Sequence, residues 1–114
     1  MTSRSLSILH GTVEFLALGA LARGGCMHGF EILRWIGDTS DGDLLVEEGA
    51  LYPALHRLEK RGWLWSEWSI SEKSRRAKYY TVTAQGRAGL VEADRDWGRY
   101  VSAVAKVVTG EATT

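Results

Sequence analysis

Residues Glu48 to Leu64 read EGALYPALHRLEKRGWL, and their spacing governs how the rest of the chain is read. Leu51, Leu55 and Leu58 recur at i, i+4 and i+7, one face of a helix, and Gly62 follows as a residue suited to end it. With the leucines turned inward, Tyr52, Pro53, His56, Arg57 and Lys60 fall on the outward side. That side is polar, aromatic and basic. Pro53 stands close to the start of this helix, where a missing N–H costs little, and it disfavours helical geometry at Tyr52, so a kinked beginning is expected.

Downstream, Trp63 to Ile70 and Ala77 to Thr83 are rich in aromatic and β-branched residues. The polar connection Ser71 to Arg76 between them predicts a hairpin with an extended tip. Lys73, Arg75, Arg76 and Lys78 cluster there against Glu72 alone. Upstream, Val13, Leu16, Ala17, Ala20 and Leu21 recur at helical spacing within Leu9 to Leu21, and Gly24-Gly25 stops the run. Leu9, Phe15 and Leu18 make a second apolar side on this first helix, which is therefore expected to be covered on both sides. Phe30, Leu33 and Ile36 mark a short second helix ending near Gly37; an acidic loop, Asp38 to Asp43, follows, and Leu44 to Val46 is room for a minor strand at most.

Thr83 is placed to cap a last helix, on which Leu90, Trp97, Val101, Val104 and Val108 form a stripe broken at Asp94. At about 1.5 Å per residue, Ala84 to Val108 would span about 40 Å. Such a helix overhangs a small core, so its stripe needs a partner. Three helices, a two-stranded ribbon and a long helix give an α+β, mainly α chain in the element order of a winged helix-turn-helix, whose third helix enters the major groove. Residues 1–83 are assigned to the DNA-binding part and 84–114 to a dimerisation helix and tail, within one structural domain.

Composition narrows the classes. The chain has 114 residues, 45% of them hydrophobic, with five tryptophans, enough for a real core. It shows neither a signal-peptide pattern nor a run of roughly 18 apolar residues, so a cytoplasmic protein with no membrane partner is expected. The lone Cys26 has no second cysteine at metal-ligand spacing; Cys26 and His28 are read as structural, with no metal and no cofactor. No grouping of Ser, His, Asp or Cys supplies a nucleophile, a base and an orienting group, which argues against an enzyme. Net charge is zero, yet five acids (Asp38, Asp41, Asp43, Glu47, Glu48) lie together and the hairpin cations lie elsewhere, and a polyanion feels the local field.

MHGFEI at Met27 to Ile32, EGALYPALHRLEKRGWL at Glu48 to Leu64 and SRRAKYYTVTAQG at Ser74 to Gly86, in that order, resemble the PadR family of transcriptional regulators, in particular its compact subclass with a single C-terminal helix. The resemblance implies a dimeric winged-helix regulator, usually a repressor, that reads DNA with its third helix and wing and in many cases responds to small aromatic or drug-like compounds. It also implies a dimer interface from the N- and C-terminal helices: Leu9, Phe15, Leu90, Trp97, Val101, Val104 and Val108. Two departures are Phe30, where the family usually has tyrosine, and Ala50, where serine is commoner.

The DNA-contacting set is then Gly29, Phe30, Ala50, Tyr52, Pro53, His56, Arg57 and Lys60 on the helices, with Lys73, Ser74, Arg75, Arg76, Lys78 and Tyr80 on the wing. Arg57 and Lys60 suit phosphates or a guanine edge, and Tyr52 a phosphate, sugar or thymine methyl. Gly29 suits either phosphate approach to a helix N-terminus or a simple turn. Trp97 is either an interface anchor or, paired across a two-fold axis, one wall of an aromatic effector site. A two-fold dimer implies double-stranded DNA with an inverted-repeat operator. The alternative is a winged-helix module that binds protein through the same hairpin.

Overall fold

The structure, a computed structural model, describes residues 11–110. Its elements are α1 (Val13–Gly24), β1 (Met27–His28), α2 (Gly29–Thr39), α3 (Glu48–Lys60), β2 (Leu64–Ile70), β3 (Arg76–Val82) and α4 (Ala84–Val108). The sheet is antiparallel in the order β1-β3-β2. Leu18 and Leu21 of α1, Ile32 of α2 and Leu51, Leu55 and Leu58 of α3 are fully buried together, and Leu64, Tyr80 and Val82 close the core from the sheet. The leucine spacing of the third helix therefore defines the core face. This is a winged helix-turn-helix with a long terminal helix.

Local chemistry fixes the joints. Gly62 takes φ 84°; its N–H donates to the Glu59 carbonyl and that of Trp63 to the Leu58 carbonyl, both at 3.0 Å, a Schellman stop that glycine permits. Twenty-one residues after Gly62, just past β3, the Thr83 hydroxyl accepts from Gly86 N–H at 3.0 Å and donates to the Gly62 carbonyl at 2.8 Å. The expected cap of the last helix thus also ties the end of α3 to the start of α4. At the wing tip, Ser71 N–H donates to Arg75 carbonyl at 2.7 Å, and Ser74 sits at φ 56°.

Three expectations are revised. α3 begins at Glu48, with Glu47 in the N-cap position, so Pro53 lies inside the helix, where it withholds the hydrogen bond that would reach the Gly49 carbonyl. β1, which pairs Met27 with Tyr80 and His28 with Tyr79, is a third strand that a two-residue segment beside two glycines does not announce. Leu44 to Val46 holds a single bridge residue, Leu44.

α4 matches the expected Ala84 to Val108 span. Its first half docks on the domain through Gly86 and Gly89, which are buried against Trp63, and through Leu90, packed on the core. The second half projects. That projection accounts for a radius of gyration of 15.6 Å, against about 13 Å for a compact chain of some 100 residues. No helix among the described residues is long and apolar enough to cross a membrane.

Candidate nucleic-acid interface

Tyr52 of α3, the exposed start of α2 and the wing enclose a groove of about 580 Å³. Its walls include Phe30 and Arg34 from α2, Tyr52 from α3, and Trp68, Lys73, Arg75 and Arg76 from the wing. Ala50, Pro53, His56 and Lys60 are exposed on α3.

Each position follows from local structure. α2 starts in a capping box: Glu31 N–H donates to His28 Nδ1 at 3.3 Å, and His28 N–H donates to the Glu31 carboxylate at 3.1 Å. The Tyr52 ring lies over Gly29, which is buried; a side chain there would overlap the ring. Gly29 is thus neither a simple turn nor an open phosphate cradle but the seat of Tyr52. Burial and the nearby Glu48 carboxylate raise the Tyr52 pKa, so the phenol stays protonated and able to donate.

Besides Gly29, three residues of the proposed contact set are placed differently from the expectation. Tyr80 is 6% exposed and belongs to the core, because its register opposite Met27 and Ser66 turns it inward. Lys78 lies along β3 opposite Trp68, away from the tip, and its Nζ donates to Glu59 at 3.0 Å. The Ser66 hydroxyl and Lys78 hold the Glu59 pKa below the usual carboxylate value, and the same bond to Glu59 raises that of Lys78. Together they brace the wing on α3. Arg57 is exposed, but its Nε donates to Glu14 at 2.6 Å, beside an Arg61–Glu14 bond of 3.1 Å. It therefore points toward α1 and is partly neutralised.

Free cationic side chains on this side are then Lys60, Lys73, Arg75 and Arg76, joined by Arg34, which the sequence reading left out. Arg34 follows Phe30 by four residues and its guanidinium lies 5.7 Å from that ring; the i, i+4 rule was the signal that could have found it. Glu47 at the N-cap position and Glu48 in the first turn of α3 stand where bare helix N–H groups would otherwise attract phosphate. The local charge favours the wing and the outward face over the helix tip.

A second cluster lies on the far side. Trp97 packs on Phe15 at 6.2 Å and on Tyr100 at 5.9 Å between ring centroids, lining a groove with Ala93 and Asp96. Of the expected interface set, Leu90 packs on its own core and Phe15 on its own Trp97, because α4 crosses α1 within the chain. Val101, Val104 and Val108 remain 42%, 40% and 74% exposed. Leu9 lies outside the described residues.

Fold and groove define a winged-helix protein of the nucleic-acid-binding type. More specifically, the chain belongs to the transcriptional regulator PadR-like family, whose profile matches residues 17–92. A transcriptional regulator from Clostridium thermocellum is 29% identical with a TM-score of 0.78, over 87% of this chain and 95% of that one. A PadR family transcriptional regulator from Eggerthella lenta is 30% identical with a TM-score of 0.73, over 89% and 85%. Bacillus subtilis PadR, solved in complex with operator DNA, shares the fold at 24% identity and a TM-score of 0.62, over 75% of this chain but 47% of that one. An uncharacterized protein from Lysinibacillus sphaericus is 29% identical over 70 residues; the match covers 61% of this chain and 64%, less than two thirds, of that protein.

Proposed function

We propose that this chain is a dimeric transcriptional repressor that binds double-stranded operator DNA in the cytoplasm and is released by a flat aromatic or drug-like effector. The observation that supports the reading is the groove in which Tyr52 of α3 meets Arg34 and the wing cations Lys73, Arg75 and Arg76, with exposed His56 and Lys60 following Tyr52 at i+4 and i+8 along the same helix. Phosphate contacts from Lys60, Lys73, Arg75 and Arg76 would set register, and His56 and Lys60 on the outward face of α3 would meet base edges.

The exposed valines of α4 supply a self-complementary apolar strip for a two-fold dimer. Two reading helices in successive major grooves then require an inverted repeat with half-sites about 34 Å apart. Trp97 is the effector residue: its groove beside Phe15 and Tyr100 offers aromatic faces, and a bound ring would alter how α4 sits on α1 and thus the spacing of the two heads. Occlusion of the promoter is the simplest route to repression.

Footprinting on the DNA upstream of the protein's own gene tests this. Two protected half-sites one helical turn apart support the reading. Absence of protection, with salt-insensitive capture of a protein through the wing, would replace it with the interaction-module alternative.

A further inference from the structure

Two arginines on opposite walls of the groove are mounted on aromatic rings. Arg34 lies over Phe30 at 5.7 Å on the α2 wall, and Arg76 lies over Trp68 at 4.8 Å on the wing wall. Both rings are half-exposed, Phe30 at 50% and Trp68 at 56%, and all four residues line the same groove. An aromatic ring beside a guanidinium attracts it without consuming its N–H donors, which stay available to two phosphate oxygens. The ring beside it offers an apolar face to a deoxyribose.

The other charges in the groove sharpen the assignment. Glu31 is committed to the α2 cap and Lys78 to Glu59, so Arg34, Lys73, Arg75 and Arg76 face only Glu72 as a free acid among the lining residues. Tyr52 adds a neutral donor between the two walls.

We infer that Arg34 and Arg76 grip one phosphodiester strand between them, with Phe30 and Trp68 as positioning residues that hold the two guanidinium groups at the groove. This rests on the DNA-binding reading above. It also gives Phe30 a role that the hydroxyl of a tyrosine is not needed for: the ring is the platform for Arg34.

Because phosphate contacts carry no sequence information, a fluorescein-labelled mixed-sequence duplex at low salt is a sufficient probe. Anisotropy titrations compare the parent with Arg34→Gln, Arg76→Gln, Trp68→Leu and, as a control on α4, Arg95→Gln. Each groove arginine variant should bind roughly tenfold more weakly and lower the log–log salt slope by about 1 unit for each subunit engaged. Trp68→Leu should weaken binding severalfold with the slope unchanged, since no charge is lost, and should add nothing to Arg76→Gln. If the parent binds but Arg34→Gln behaves like Arg95→Gln, or Trp68→Leu binds as tightly as the parent, the clamp is overturned. If the parent binds no duplex, the DNA-binding reading falls and the clamp with it.

Discussion

A methyl group added at Gly29 meets the far edge of Tyr52, and the size of that collision can be worked out. An ideal Cβ there lies 2.6 Å from Tyr52 Cε1 and 2.7 Å from Cζ and the hydroxyl oxygen, where ordinary contact begins at 3.4 Å. The ring edge must retreat by about 0.8 Å, the difference between those distances. All three atoms belong to the end of a side chain that is 44% exposed, so it can swing out at an off-rotamer cost of about 0.5–1.5 kcal/mol. Removing glycine from a helix returns about 0.5–1 kcal/mol. These terms nearly cancel, so Gly29→Ala should change stability by no more than about 1 kcal/mol, a Tm shift of roughly 4–8 °C at most.

Binding has no such compensation. On the proposed DNA reading, a misplaced phenol forfeits one hydrogen bond to a phosphate, on the order of 1 kcal/mol or a roughly fivefold loss of duplex affinity. Calorimetry and anisotropy on Gly29→Ala, Tyr52→Phe and the double variant form a mutant cycle. Gly29→Ala should cost nothing further once the hydroxyl is gone. Fully additive effects, or an unfolded Gly29→Ala protein, would refute the reasoning.

Glu14→Gln should release Arg57 and Arg61 to phosphates and raise duplex affinity, and unchanged affinity would mean that Glu14 does not compete for them. Burial pushes the Glu14 pKa up, but hydrogen bonds and charge from Arg57 and Arg61 hold it below the usual value. A lowered folded value means that the pair stabilises above the unfolded carboxylate pKa and loses its contribution as pH falls through the folded one. Both arginines are about half exposed, so the neutral-pH contribution stays below about 1 kcal/mol, and the parent and Glu14→Gln stability curves should converge in acid; parallel curves would contradict this. Gly86→Ala drives a Cβ into the Trp63 backbone carbonyl, which also accepts from Thr83 N–H at 2.9 Å; overpacking of this kind costs about 1–3 kcal/mol, and an unchanged Tm would sink the proposed docking of α4. Val101→Asp with Val104→Asp should yield monomers in sedimentation, and a persistent dimer would move the interface elsewhere.

The legible parts of the chain were those with periodicity or punctuation. Leu51, Leu55 and Leu58 located α3 and its buried face; Gly62 and Thr83 marked its end and the next beginning, because each supplies a backbone conformation or an acceptor the junction requires. β1 was hidden because pairing across the sheet, not local pattern, makes Met27 and His28 a strand. Within the site, facing outward proved weaker than being free. Arg57 and Lys78 are exposed or half-buried cations whose partners, Glu14 and Glu59, lie 43 and 19 residues away, and such pairings leave no trace in local spacing. Tyr80 follows the same rule: alternation gives two faces, and only the register with β1 and β2 shows which one is inside.

The salt dependence of duplex binding by the unmodified protein bears most directly on the central claim. Among the described residues, Arg34, Lys60, Lys73, Arg75 and Arg76 are five exposed cations on the proposed DNA side. A dimer that neutralised one phosphate with each would show log K falling against log salt with a slope approaching about −9. A steep, linear decline toward that limit is expected. A flat dependence, or no binding at low salt, would contradict it.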